Sequence, residues 1–189
     1  MSAQLPIREA TRLPNYDYSS PGAYFVTVCT QGRRAILSWV IDGQVILTDF
    51  GRIVDDTWHW LEQQYEYVKL DEYVVMPDHF HAILIIKPGD LPYDDNAGGS
   101  RTAPTDFLLE DCRGRSGTAR PPVKRKTIGR LIGAFKTVST KLINETRNTP
   151  GAKIWQRSFY DHVIRNETDL AVLRDYILNN PKELALKEH

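Results

Sequence analysis

Residues 70–87 read LDEYVVMPDHFHAILIIK. Two strand-like runs, 70–76 and 79–87, are broken by Pro77-Asp78, the pattern of a tight hairpin. In the second run His79 and His81 stand two apart, so in a strand both imidazoles leave the same face. Phe80 points the other way, with Ala82 and Leu84, into an apolar layer. Two ring nitrogens placed like this converge on one ion. Taken alone, the pair suits a plainer reading better, half-buried sheet histidines satisfied by their neighbours.

Outward from the hairpin, strands and helices alternate. Residues 23–30 (AYFVTVCT) are rich in aromatic and β-branched side chains and predict a strand. Residues 44–48 add a short hairpin or edge strand. Phe50, Ile53, Val54, Trp58 and Leu61 then recur at helical spacing within 49–67. A second amphipathic helix is expected over 128–147, with Ile128, Leu131, Ile132, Phe135, Val138 and Leu142 on one face. Residues 154–165 predict another strand. Asn166 follows as an N-cap with Asp169 three residues on, opening a helix to Asn180 that Pro181 should stop. The order β-α-β-β-α-β plus a helix predicts an α+β, ferredoxin-like (split β-α-β) antiparallel sheet with helices on one face.

The 189 residues suit one domain, 1–189, with a core over about 15–185. Formal net charge is zero, which excludes a nucleic-acid binder that works by bulk charge but not one with a local basic surface. Charge is in fact segregated. Asp90, Asp94, Asp95, Asp106, Glu110 and Asp111 precede a stretch, 112–144, that holds no acid. There Arg113, Arg115, Arg120, Lys124, Arg125, Lys126, Arg130 and Lys136 accumulate as candidate nucleic-acid contacts. Much of 88–124 is turn-rich, with Gly98-Gly99 and Pro121-Pro122, and reads as a long insertion within the domain.

Tyr176 and Asn180, four apart, share one face of the last helix, flanking the stripe Leu170, Leu173 and Ile177. Alone, such a tyrosine is a boundary aromatic. Beside a histidine pair it suggests phosphodiester chemistry. A phenol of pKa about 10 is only about a thousandth ionised at neutral pH and needs activation as a nucleophile. An ion held by two imidazoles and an amide oxygen polarises and orients a phosphate. Tyr160, beside Asp161 and His162, competes for the nucleophile role, His162 for that of ligand, and Asn179 for that of amide donor.

The run YVVMPDHFHAILII (73–86) resembles the histidine motif of the tyrosine transposases of the insertion-sequence 200/605 class, of HUH type. IWQRSFYDHVIRNETDLAVLRDYILNNPKE (154–183) and YFVTVCTQGRRAIL (24–37) are similar to the REP-associated branch of that superfamily. The resemblance implies His79, His81 and Asn180 as ligands of Mg2+ or Mn2+, and Tyr176 as a nucleophile that leaves a 5′-phosphotyrosyl link to single-stranded DNA and frees a 3′-hydroxyl. It implies a single-stranded or hairpin DNA partner of REP type, and a monomer or homodimer. Ligand preference alone would suit zinc or nickel equally. Two features depart from the simplest pattern of the class: the insertion is long, and Asn stands where many relatives carry Gln.

Other classes are a non-catalytic or domesticated nucleic-acid-binding protein on the same fold, a replication or conjugation initiator nuclease, and a metal-free structural module. Cys29 and Cys112 form no disulfide framework, and the N-terminal residues have no apolar core of signal-peptide length. A cytoplasmic, nucleoid-associated protein with no membrane partner is expected.

Overall fold

The computed structural model describes residues 16–88 and 125–187. The insertion at 88–124, with Arg113, Arg115, Arg120 and Lys124, lies outside the described residues but for Pro88. The elements are β1 (Gly22–Cys29), β2 (Ser38–Ile41), β3 (Gln44–Leu47), α1 (Asp49–Gln64), β4 (Val68–Val75), β5 (His79–Ile86), α2 (Ile128–Thr146), β6 (Tyr160–Ile164) and α3 (Glu167–Lys187). β4, β5, β1 and β6 form a sheet in that order, with every neighbouring pair antiparallel. This is the ferredoxin-like arrangement, in which each helical crossover returns the chain one strand away from where it left.

Alternation along the two central strands divides the interior. Tyr24, Val26 and Val28 of β1 and Phe80, Ala82, Leu84 and Ile86 of β5 meet Val54, Trp58 and Leu61 of α1 and Leu131, Ile132 and Phe135 of α2. At its centre Trp58 sets its edge against Phe80 and Phe135, with ring centroids 5.0 and 5.4 Å apart. The two crossover helices thus share one face. On the opposite face Phe25, Ile83 and Ile164 receive Leu170 and Ile177 of α3. Both faces of the sheet are therefore covered, one of them by a single helix.

Beyond shifts of one to three residues at element ends, such as α1 stopping at Gln64 and β4 starting at Val68, three features differ from those expected of the sequence. A strand at 38–41 went unforeseen: it pairs with β3 as a separate two-stranded hairpin, turning at Asp42 (φ 51°) and Gly43 (φ 74°). The strand expected over 154–165 is regular only at Tyr160–Ile164. Its first part runs beside the end of β1 through an isolated Thr30–Trp155 bridge, while the Trp155 indole donates to Ser139 Oγ of α2 at 2.9 Å. Pro181 does not stop α3, which continues to Lys187. Proline removes one N–H from the ladder, but Pro181 is itself buried and the adjacent Lys182 packs on Gly43. Tertiary contact offsets the lost hydrogen bond.

The start of α1 is held against the residues that lead into β2. Thr48 caps the helix by accepting from Gly51 N at 3.1 Å, and its hydroxyl lies 2.9 Å from Leu37 O. A Cβ on Gly51 would lie 2.0 Å from that same Leu37 oxygen. Gly51→Ala must therefore push helix and hairpin apart. We expect a loss of at least about 2 kcal/mol, seen as a lower urea midpoint at unchanged slope.

Candidate active site

α3 is positioned by an irregularity in β4. The β4–β5 register shifts between Leu70 and Tyr73, and at that bulge Asp71 turns its carboxylate towards α3. Arg174 grips it with both prongs, Nε to Oδ1 at 2.8 Å and the second nitrogen to Oδ2. This fork, chiefly, holds the Asp71 carboxyl below its usual range. At the helix start Asn166 caps α3 through its side-chain oxygen, which accepts from Asp169 N at 2.8 Å. With Ile177 fully buried beneath it, the next exposed face of α3 is laid over β5.

Tyr176, Asn180, His79 and His81 come together there in one cleft of about 290 Å³, whose walls also include Thr27, Arg33, Met76, Glu183 and Leu184. Tyr176 Oη lies 3.4 Å from His81 Nε2. The two imidazoles meet edge to face with centroids 4.5 Å apart. Phe25 stacks on His81 at 5.5 Å and turns its edge to Tyr176, which fixes both rings. Phe80 faces the opposite core, as the alternation requires.

Each imidazole has a partner at Nδ1. Asp78 accepts from His79 Nδ1, so that nitrogen carries the proton of the bond. His81 Nδ1 lies 2.8 Å from Thr27 Oγ1, its cross-strand neighbour. Nε2 is then the nitrogen each ring has for an ion, the outer-partner arrangement common around ligating histidines. His81 is buried, and that burial above all, reinforced by His79 and Arg33 and opposed by Asp78, pushes its pKa down to about 3. It is neutral near pH 7 and fit to ligate. Among the described residues no three His, Cys, Asp or Glu side chains gather as a metal centre by themselves. The donor set of the cleft is two imidazoles and the Asn180 amide, with an exposed Glu183 also on its wall.

The competing residues are placed elsewhere. Tyr160 opens β6 on the same sheet face, opposite Thr27, but does not line the cleft. His162 Nε2 lies 3.0 Å from Asp169 Oδ2, and the Asn179 amide donates to its own helix at Asp175. Lys126 donates to Tyr65 Oη, and Lys136 donates to the carbonyls of Gln156 and Arg157. Arg125, Lys126, Arg130 and Lys136 thus lie on or just before α2, across the sheet from the cleft. A larger depression of about 550 Å³ beside α2 carries Lys136, Lys153 and Arg157, yet gathers no nucleophile or ligand set. Thr27, Asp78, Arg33 and Glu183 were not picked out in the sequence. For Asp78 the signal was present, an acid directly before a candidate ligand histidine.

No family model matches the chain. It is 30% identical over 174 residues to an uncharacterized protein of Haemophilus influenzae, covering 92% of this chain and 88% of that one. A second Haemophilus influenzae protein, named "Putative REP-associated tyrosine transposase", is 25% identical over 171 residues, 89% of this chain and 76% of that one. The solved structure of a REP-associated tyrosine transposase bound to a REP hairpin shares the fold, with a TM-score of 0.56 and 20% identity over 91% of this chain and 73% of that one. The chain is thus similar in sequence to a protein named as a REP-associated tyrosine transposase and shares the fold of a solved one. Among the described residues no helix is long and apolar enough to cross a membrane.

Two measurements probe this geometry. Asp71→Asn should loosen α3 by about 1–2 kcal/mol, since a charge-assisted fork is lost. Amide exchange should then quicken roughly tenfold in α3, with β1 and β5 unchanged. The second concerns His81. Unfolded, its imidazole titrates near 6.5, whereas folded it refuses a proton until about pH 3. The unfolded metal-free chain therefore binds the extra proton between these values, and stability should fall as pH drops through that window. The loss should reach about 1.4 kcal/mol per unit at most. Urea melts in chelator should show this slope, and His81→Gln should remove its share.

Proposed function

We propose that this protein is a metal-dependent tyrosine transposase that cleaves and rejoins single-stranded DNA at hairpin sites of REP type, with Tyr176 as nucleophile. The observation that carries the reading is the 3.4 Å approach of Tyr176 Oη to His81 Nε2, in a cleft that also holds His79 and Asn180. Similarity to a protein named as a REP-associated tyrosine transposase supports it, as does the shared fold of the one solved with a REP hairpin.

In this reading Tyr176 Oη attacks the scissile phosphorus. The P–O3′ bond breaks, one strand end is left with a 3′-hydroxyl, and the other is held as a 5′-phosphotyrosyl ester. Attack by a 3′-hydroxyl reverses the step, so the bond energy is conserved and no high-energy cofactor is consumed. His79 and His81 through Nε2, and Asn180 through its amide oxygen, would hold a Mg2+ or Mn2+ ion, which when bound polarises the phosphate. The donor set fits such an ion, since both Nδ1 atoms are engaged by Asp78 and Thr27. Phe25 holds the phenol and His81 in register, and Arg174 anchors the turn of α3 just before the nucleophile. Contacts from Arg113, Arg115, Arg120, Lys124, Arg125, Lys126, Arg130 and Lys136 to hairpin phosphates would supply affinity without reading sequence.

The test is a labelled REP-like hairpin with a single-stranded flank, incubated with the protein and Mn2+. A covalent adduct is expected with wild-type and Tyr160→Phe and should be undetectable with Tyr176→Phe. An adduct that survives in Tyr176→Phe and disappears in Tyr160→Phe would overturn the nucleophile. Hairpin binding without any adduct would favour a non-catalytic DNA-binding protein.

A further inference from the structure

The cleft has a cation of its own. Arg33 lines it, on the turn that follows β1, and β1 ends opposite His79. The backbone there is unusual. Gly32 has φ 68° and Arg33 φ 54°, two left-handed residues in succession. Arginine gains nothing locally from that conformation, and residues so held concentrate where a side chain must be aimed.

The surroundings enforce the turn. Thr30 N donates to Asp78 O at 2.9 Å, and its hydroxyl lies within 3.0 Å of both Asp78 O and Arg34 O. Gln31 N donates to Ile154 O, while Arg34 donates to Gln31 O and Lys153 O. The guanidinium that this backbone presents makes one long contact, 3.3 Å to Asp78 Oδ2, and its side chain is 56% exposed. The other oxygen of that carboxylate accepts from His79. So exposed a pair is weak, and a phosphate competes well for a guanidinium fork.

We propose that Arg33 binds a non-bridging oxygen of the scissile phosphate and offsets the charge gathering there as Tyr176 attacks. The assignment rests on the nucleophile reading above. As the Oη–P bond forms, the phenolic proton passes to solvent. The P–O3′ bond breaks with its electron pair on O3′, which takes up a proton. Throughout, Arg33 keeps its proton and stays bound to phosphate oxygen. Asp78, released from Arg33, still accepts from His79.

The experiment compares wild-type with Arg33→Lys, Arg33→Ala and Arg33→Asn. Asparagine tolerates the left-handed backbone and so separates charge from folding. Single-turnover cleavage in Mn2+ is measured on a labelled REP-like hairpin, and on the same strand with one neutral methylphosphonate at the wild-type cleavage position. On the phosphodiester, Arg33→Ala and Arg33→Asn should be slower by about 100-fold or more, with hairpin affinity within about twofold and Arg33→Lys between them and wild-type. On the methylphosphonate their rates should return to near that of wild-type on the same strand. A wild-type rate for Arg33→Asn on the phosphodiester, or an equal deficit on both strands, would overturn the role of Arg33 while leaving Tyr176 in place. Failure of the wild-type to cleave either strand would bring down both readings.

Discussion

The attachment of α3 to the otherwise open face of the sheet is the constraint on which the site depends. Histidines on β5 and a tyrosine on α3 belong to elements about a hundred residues apart, and only this packing brings them together. It has an apolar part, Ile177 and Leu170 over Phe25, Ile83 and Ile164. It also has a directional part, the fork from Arg174 to Asp71. Apolar packing tolerates small rotations of a helix about its axis, whereas a bidentate fork does not. Arg174 lies two residues before Tyr176, so the fork sets the rotation that decides whether the phenol faces His81 or solvent. The bulge in β4 is part of the same device, because it is what brings the Asp71 carboxylate to the helix.

The second constraint is the alternation of β5. Its even-numbered residues, Phe80 to Ile86, form the main core, so a one-residue slip of register would place His79 and His81 among apolar side chains. Core packing therefore polices the chemistry on the other face. A polar layer completes it: Thr27 comes from the next strand and Asp78 from the hairpin turn. A buried imidazole as reluctant to take a proton as His81 is costly to a fold unless its nitrogens are partnered. Phe25 and Tyr176 cover what Thr27 leaves.

Much of this was legible in the chain because it depends on short periods. Alternation at 79–87 announced both the strand and the common face of the histidines, and the helical stripes at 49–67 and 128–147 announced two crossovers. The four-residue step from Tyr176 to Asn180 needed only a helix. What escaped depends on contacts distant in sequence. Pro181 reads as a stop by local rules, yet α3 passes through it, with Pro181 buried and Lys182 packed against Gly43 of the β2–β3 hairpin. Residues 154–159 have a strand's composition, but Ile154 and Trp155 are recruited to the core instead. Arg33 is an ordinary surface arginine in the sequence. Only the fold shows its left-handed backbone and its seat in the cleft, created by hydrogen bonds to residues 78 and 154.

The neutral net charge of the chain then has a physical consequence. The cleft carries charges of both signs, with Arg33 paired to Asp78 and Glu183 also on its wall. On the proposed reading such a site is poor at attracting DNA and good at discriminating among charge distributions on one phosphate, which is what transition-state binding requires. Attraction must come from elsewhere in the chain. The acid-free stretch 112–144 has the composition for it, and its described residues lie on or beside α2, on the far side of the sheet. On the proposed reading, binding and chemistry would then lie on different surfaces. Salt would weaken the former steeply, by counterion release, and leave the latter comparatively untouched. A strand leaving a hairpin held near α2 would have to pass around an edge of the sheet to reach Tyr176. The turn that carries Arg33 lies at one end of that sheet, bonded at Gln31 to Ile154 and at Arg34 to Lys153, close to the depression beside α2. On the proposed reading, that turn lies between the basic face beside α2 and the cleft.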